Sequence, residues 1–112
     1  MMFLETAAGL ELQRRYTALK AELSTLGWLT NGSVTPNHPG NWRWTRKINA
    51  KTVSVALSEA QAELFKDAII NHRKLESILL EMRAISQEVL LKSAPGNARK
   101  SGAKKRPKPS LN

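Results

Sequence analysis

The sequence predicts an α+β protein: two long antiparallel helices with a small antiparallel β-hairpin between them, and a third short strand allowed for. Three observations lead there. The stretch Gly40 to Leu57, GNWRWTRKINAKTVSVAL, alternates with a period of two and sorts into two chemically different faces. The segments on either side carry apolar residues at helical spacing instead. The last twenty residues carry neither pattern, which limits the foldable part to residues 1–92 and leaves 93–112 as a disordered basic tail.

In chain order, the first helix is marked by Leu12, Tyr16, Leu19, Leu23 and Leu26, alternating steps of four and three that make one buried seam, with Gly27 as the stop. Thr6 is a candidate N-cap, and Met2, Phe3 and Leu4 either extend the helix or pack over its end. The turn-rich TNGSVTPNHPG follows, where Ser33 to Thr35 has room to pair as an edge strand. In the hairpin, one register puts Trp42 opposite Leu57, Trp44 opposite Val55 and Arg46 opposite Val53 on an apolar face. Its other face then holds Arg43 with Ala56, Thr45 with Ser54 and Lys47 with Thr52. A slip of one residue would mix the faces, so patterning selects this register. A two-residue turn at Asn49-Ala50 would require positive φ at Ala50, so the expected turn is a wider loop over Ile48 to Lys51. Ser58 opens the second helix with capping-box spacing to Gln61 and with Glu59 in the first turn. Its seam runs Phe65, Ala68, His72, Leu75, Leu79, Met82, Ser86 and Val89, widened by Ile78 and Ile85, as in a coiled coil, and ends near Lys92 ahead of Ala94-Pro95-Gly96.

The net charge of +9 is unevenly spread. Residues 27–58 carry Arg43, Arg46, Lys47 and Lys51 without an acid, and residues 92–112 carry seven bases without an acid, whereas acids match or exceed bases in both helical stretches. Such segregation points to a polyanion, nucleic acid first and an anionic membrane surface second. The chain has no cysteine, two histidines and one aspartate, which rules out disulfides and thiolate metal sites and leaves a poor inventory for catalysis. His38 reads as a loop residue, His72 as a packing residue on the seam, and Glu59, Glu63 and Asp67 as a solvated acidic row. No cofactor or metal is called for. MMFLETAAGL lacks the basic start and apolar run of a signal peptide, and no segment is apolar enough to span a bilayer, so a cytoplasmic location is expected.

The candidate nucleic-acid contacts are Arg43, Thr45, Lys47, Thr52 and Ser54 on the polar hairpin face, Arg46 and Lys51 near its tip, and Arg99, Lys100, Lys104, Lys105, Arg106 and Lys108 in the tail. Cations beside small hydroxyls suit phosphates and base edges, and a two-stranded ribbon fits a major groove. Trp42 and Trp44 have the chemistry to stack bases, but they share a face with Val53, Val55 and Leu57 and are assigned to the core.

The order of QRRYTALKAELSTLG, GNWRWTRKINAKTVSVALS and EAQAELFKDAIINHRKLESILLEMRAISQEVL resembles a family of short bacterial and archaeal proteins of unknown function, over about Leu12 to Leu91. The resemblance implies helix, G-S loop, strand, K-x-x-x-K-T turn, strand and long helix, matched here by Gly32-Ser33, Lys47 and Lys51-Thr52. It also implies an accessory role near mobile elements, where many members are encoded. Two departures stand out: many members carry a cysteine cluster before the hairpin and a glycine in its turn, whereas this chain has TNGSVTPNHPG and Ala50. Any metal site of those members does not carry over. The layout of a small antiparallel sheet backed by a helix is also similar to the arm-binding domains of phage-type integrases.

The expected function is therefore a non-enzymatic nucleic-acid-binding accessory protein, on DNA in the first instance. The alternative is a helical adaptor or oligomerisation protein with no nucleic-acid role. A homodimer through the C-terminal half of the long helix is expected too, because a shorter first helix should run out near Met82 or Ala84 and leave Ile85, Val89 and Leu90 uncovered.

Overall fold

The computed structural model describes residues 2–96. A 3-10 turn at Phe3–Glu5 leads into helix α1 (Ala7–Leu23), strands β1 (Ser33–His38), β2 (Asn41–Ile48) and β3 (Lys51–Ser58), and helix α2 (Glu59–Lys92). The fold is α+β, with a three-stranded antiparallel sheet in the order β1-β2-β3 rather than a hairpin alone. The third strand comes from the turn-rich stretch: Ser33–His38 pairs along β2, with an irregularity between Pro36 and His38. Pro36 is compatible because β1 is an edge strand, where a missing N–H need not break a ladder.

Thr6 caps α1 by accepting from the Gly9 N–H at 3.0 Å, while its hydroxyl donates to the Phe3 carbonyl at 2.6 Å. The residues before it pack over the helix instead of extending it. Gln13 donates to the Leu4 carbonyl at 2.9 Å, and the absence of a side chain at Gly9 makes room for the Phe3 carbonyl, which a Cβ there would strike. The helix stops at Leu23, short of the expected Leu26. Ser24 and Thr25 hydroxyls donate to the Ala21 and Glu22 carbonyls, both at 2.7 Å, and Thr25 and Leu26 amides close i→i+3 bonds that tighten the last turn.

At α2, Ser58 accepts from the Gln61 N–H at 3.1 Å and its own N–H donates to the Gln61 side chain at 2.9 Å, which is the expected capping box. The seam is not one continuous stripe. Near its start α2 meets the sheet: Phe65 lies 4.7 Å from the Trp44 ring and Lys66 is 4.0 Å over Trp42, with Ala62 and Ile69 buried alongside. Further on it meets α1. Glu81 accepts from Arg15 at 2.6 Å, raising the Arg15 pKa above its ordinary value, and Ile78 is buried while Met82, Ile85 and Val89 are half-buried. At about 100° per residue these two sets lie on nearly opposite sides of the helix. Leu79, expected inside, is 39 % exposed.

Helix 1 also does not run out early. Lys92 sits 5.6 Å over the Phe3 ring, so α1 and its leading turn shadow α2 to its end, and Ile85 and Val89 are covered within the chain. The two helices do not start level at the sheet, because residues 24–32 displace α1 along α2, with Thr30 N–H reaching the Ala68 carbonyl at 3.3 Å and Asn71 donating to the Trp28 carbonyl at 3.1 Å.

The hairpin register matches every expected pair, from Trp42↔Leu57 to Lys47↔Thr52. The turn does not match the expectation. Ile48 pairs with Lys51, and Asn49 (φ 51°) and Ala50 (φ 67°) make a tight two-residue turn with both residues left-handed. Eight paired positions whose twist suits such a turn outweigh the roughly 1 kcal/mol conformational penalty at Ala50. Ala50→Gly should therefore raise stability by about 1 kcal/mol, read as an upward shift of the denaturant midpoint with an unchanged slope.

Candidate nucleic-acid interface

Strand alternation and the observed register divide the sheet into two faces. Val34, Pro36, Trp42, Trp44, Arg46, Val53, Val55 and Leu57 share the side that carries α2, and Leu57 is only 5 % exposed. Among the described residues no helix lies on the other side. Its residues form rows across the strands: His38, Asn41 and Ser58 at the end beside the β1 irregularity; Thr35, Arg43 and Ala56; Ser33, Thr45 and Ser54; then Lys47 and Thr52. Arg43, Thr45 and Lys47 all stand on β2, the central strand, so their backbone is held by hydrogen bonds on both edges for most of its length. The Thr45 and Ser54 hydroxyls are 3.0 Å apart and share a hydrogen bond.

Arg43 and Lys47 have no ion-pair partner among the described residues, and no acid occupies the open face. The five ion pairs of the described residues lie on or between the helices. The three rows from Arg43 to Lys47 thus offer two cations and five hydroxyl side chains on a grid fixed by strand pairing, with no anion among the described residues of the face to satisfy them; the hydroxyl of Ser58, in the row beyond, caps α2. That chemistry suits a ligand rich in anionic oxygens and hydrogen-bonding edges.

The structure does not gather every residue that the sequence nominated. Arg46 is on the α2 side, its guanidinium 3.9 Å from the Trp44 ring centroid and its Nη1 buried without a hydrogen-bond partner among the described residues. It packs; it does not join the grid. The register also assigns Lys51 to that side, at the hairpin tip. Arg99, Lys100, Lys104, Lys105, Arg106 and Lys108 lie outside the described residues. Conversely, Ser33 and Thr35 belong to the grid but were not among the nominated contacts. Their signal was the S-V-T alternation after Gly32, weak because Pro36 and Pro39 follow so closely.

His38 closes β1 opposite Asn41, and His72 is half-buried on α2 with Nε2 3.3 Å from Glu76. Among the described residues no three histidine, cysteine or acidic side chains converge on a common point. No helix of the described residues is long and apolar enough to cross a membrane.

A second feature escaped the sequence reading. Where α1 ends, an open apolar cleft of about 610 Å³ lies between the Trp28 loop, Trp44 and the Leu64–Asn71 stretch of α2. Trp28 stands on its rim 91 % exposed, with its backbone pinned by Asn71. Compared with protein-family models, curated proteins and solved structures, the chain matches none of them.

Proposed function

We propose that this chain is a non-enzymatic nucleic-acid-binding protein that works in the cytoplasm and contacts its target through the open sheet face, aided by the basic tail. The observation that carries the reading is the acid-free grid of Arg43, Lys47, Ser33, Thr35, Thr45, Thr52 and Ser54 on the side of the sheet that no helix of the described residues covers. A face whose only task was to remain solvated would gain nothing from excluding carboxylates, and mixed signs are the commoner solution. The resemblance to proteins encoded near mobile elements supports an accessory role in DNA transposition.

Replacing Arg43 and Lys47 together by alanine should weaken binding to nucleic acid at least tenfold at moderate salt, while the melting transition moves by no more than about 0.5 kcal/mol in stability. Electrophoretic mobility shift and thermal melting check the two halves. A double variant that melts far below the parent would overturn the assignment of faces.

The same protein acts as a pair in this proposal. Beyond the sheet, the side of α2 turned away from α1 is bare, with Leu79, Leu80, Leu90 and Leu91 exposed at 39, 63, 72 and 77 %. They lie within one broad stripe by helical spacing, and a second copy laid along it would remove them from water and hold two open sheet faces apart. Light scattering should return twice the chain mass at high protein concentration, and Leu80→Glu with Leu91→Glu should halve it.

The alternative, an adaptor without a nucleic-acid role, is favoured by one observation, the exposed Trp28 beside its apolar cleft. Under that reading Trp28→Ala abolishes partner capture and Arg43→Ala, Lys47→Ala changes nothing.

A further inference from the structure

Resting on the nucleic-acid reading just given, we infer that the sheet enters the major groove of B-form duplex DNA, with Arg43 as the residue that reads a guanine. Four features of the face select this substrate class. Single strands are gripped by aromatic platforms, yet Trp42 and Trp44 are both on the α2 side, where they meet Lys66, Phe65 and Arg46, and among the described residues no Trp, Tyr or Phe stands on the open face, whose one ring is the imidazole of His38 at its far end. Proteins that pry open a minor groove insert large apolar wedges, whereas the only apolar residue of the grid is Ala56. Three strands span about 10 Å between their outer axes, close to the roughly 12 Å width of the B-form major groove and too wide for the roughly 6 Å minor groove. The deep, narrow major groove of A-form RNA does not admit such a body.

Within the groove the rows have different work. Arg43 stands between two short side chains, Thr35 on β1 and Ala56 on β3, so nothing in its row rises beside it to compete for a base edge. Its planar fork matches the O6 and N7 acceptors of guanine in a bidentate contact. The hydroxyls of Ser33, Thr45 and Ser54 form the next row and are short enough to accept or donate at any base edge without demanding one. Lys47, one row further on and next to the turn, presents a flexible point charge suited to phosphate and so contributes affinity without preference.

The test uses the full chain and four probes of one sequence: duplex DNA, duplex RNA, single-stranded DNA, and duplex DNA carrying 7-deazaguanine, which lacks the N7 acceptor. The preferred sequence is first obtained by selection from a randomised duplex pool. Duplex DNA should bind at least tenfold more tightly than either the RNA duplex or the single strand at equal salt. Arg43→Lys should lower discrimination at one G·C position by between about 5-fold and 150-fold, and 7-deazaguanine at that position should do the same to the parent protein. Lys47→Ala should weaken all duplexes evenly and leave the ranking intact. Equal binding of the RNA duplex or single strand, or a ranking that survives Arg43→Lys, overturns the inference while leaving nucleic-acid binding in place. Absence of binding to all four probes overturns the broader reading together with this one.

Discussion

Trp44→Ala should destabilise the protein by about 3 kcal/mol, lowering the melting temperature by roughly 12 °C or more in a domain of this size. Three contacts go at once. The ring packs 4.7 Å from Phe65, its face carries the Arg46 guanidinium at 3.9 Å, and its Nε1 donates to the Asn31 carbonyl at 2.8 Å. Trp44 therefore joins the sheet to α2 and to the loop before β1. Its loss also leaves the Arg46 Nη1, already without a partner, facing a void rather than a π-face. Trp44→Phe separates the contributions: the ring contacts persist in part, and the missing indole N–H should cost about 1 kcal/mol by itself. Chemical denaturation of the three proteins measures the series, and a Trp44→Ala protein as stable as its parent would contradict the assignment of this face to the core.

The second large effect is expected at Gly32→Ala. Gly32 has φ +97°, and a Cβ there would lie 2.5 Å from the Thr45 carbonyl oxygen and 2.7 Å from Trp44 Nε1. The first of these belongs to the central strand and cannot give way without breaking pairing. Left-handed backbone plus a clash against a rigid ladder should cost about 3 kcal/mol. The consequence is local before it is global: β1 should peel from β2, taking Ser33 and Thr35 off the open face. Amide hydrogen exchange would show it as lost protection along the edge ladder, at Ser33 to Thr35 and their partners Arg43 to Thr45, while α2 stays protected. Unchanged exchange in β1 would mean that Gly32 is not the hinge on which the third strand depends.

Much of the candidate site was legible in the sequence. The alternation in WRWTRK and TVSVAL admits one register that separates rings and valines from cations and hydroxyls, because a side-chain period of two leaves no intermediate arrangement. Arg43, Thr45, Lys47, Thr52 and Ser54 stand where that pattern put them. Arg46 shows the limit of reading charge as exposure. Its place in the alternation put it on the apolar face and its charge suggested the tip, and packing on Trp44 decided for the face. The turn shows a different limit. Local conformational preference argued against positive φ at Ala50, yet the summed pairing of two strands outweighed one residue's preference.

What the sequence alone determined is therefore local and periodic: the two caps at Thr6 and Ser58, the hairpin register, the end of α2 near Lys92 and the acid-free stretch around the hairpin. These follow from hydrogen bonds and side-chain directions within a few residues of one another. Only the tertiary structure decided what each apolar stripe faces. The seam of α2 has an unbroken helical period, and nothing in a period says that its first turns back a sheet while its later turns, rotated to the other side, hold α1. The displacement of α1 along α2 likewise depends on how far residues 24–32 reach, a distance fixed by the anchors at Ala68 and Asn71. For that reason the sequence placed the uncovered residues at Ile85, Val89 and Leu90, and the fold leaves Leu90 bare as expected but covers Ile85 and Val89 in part and exposes Leu80 and Leu91. Burial is a relation between segments, and a helix with apolar residues on more than one side does not encode which of them its neighbours will cover.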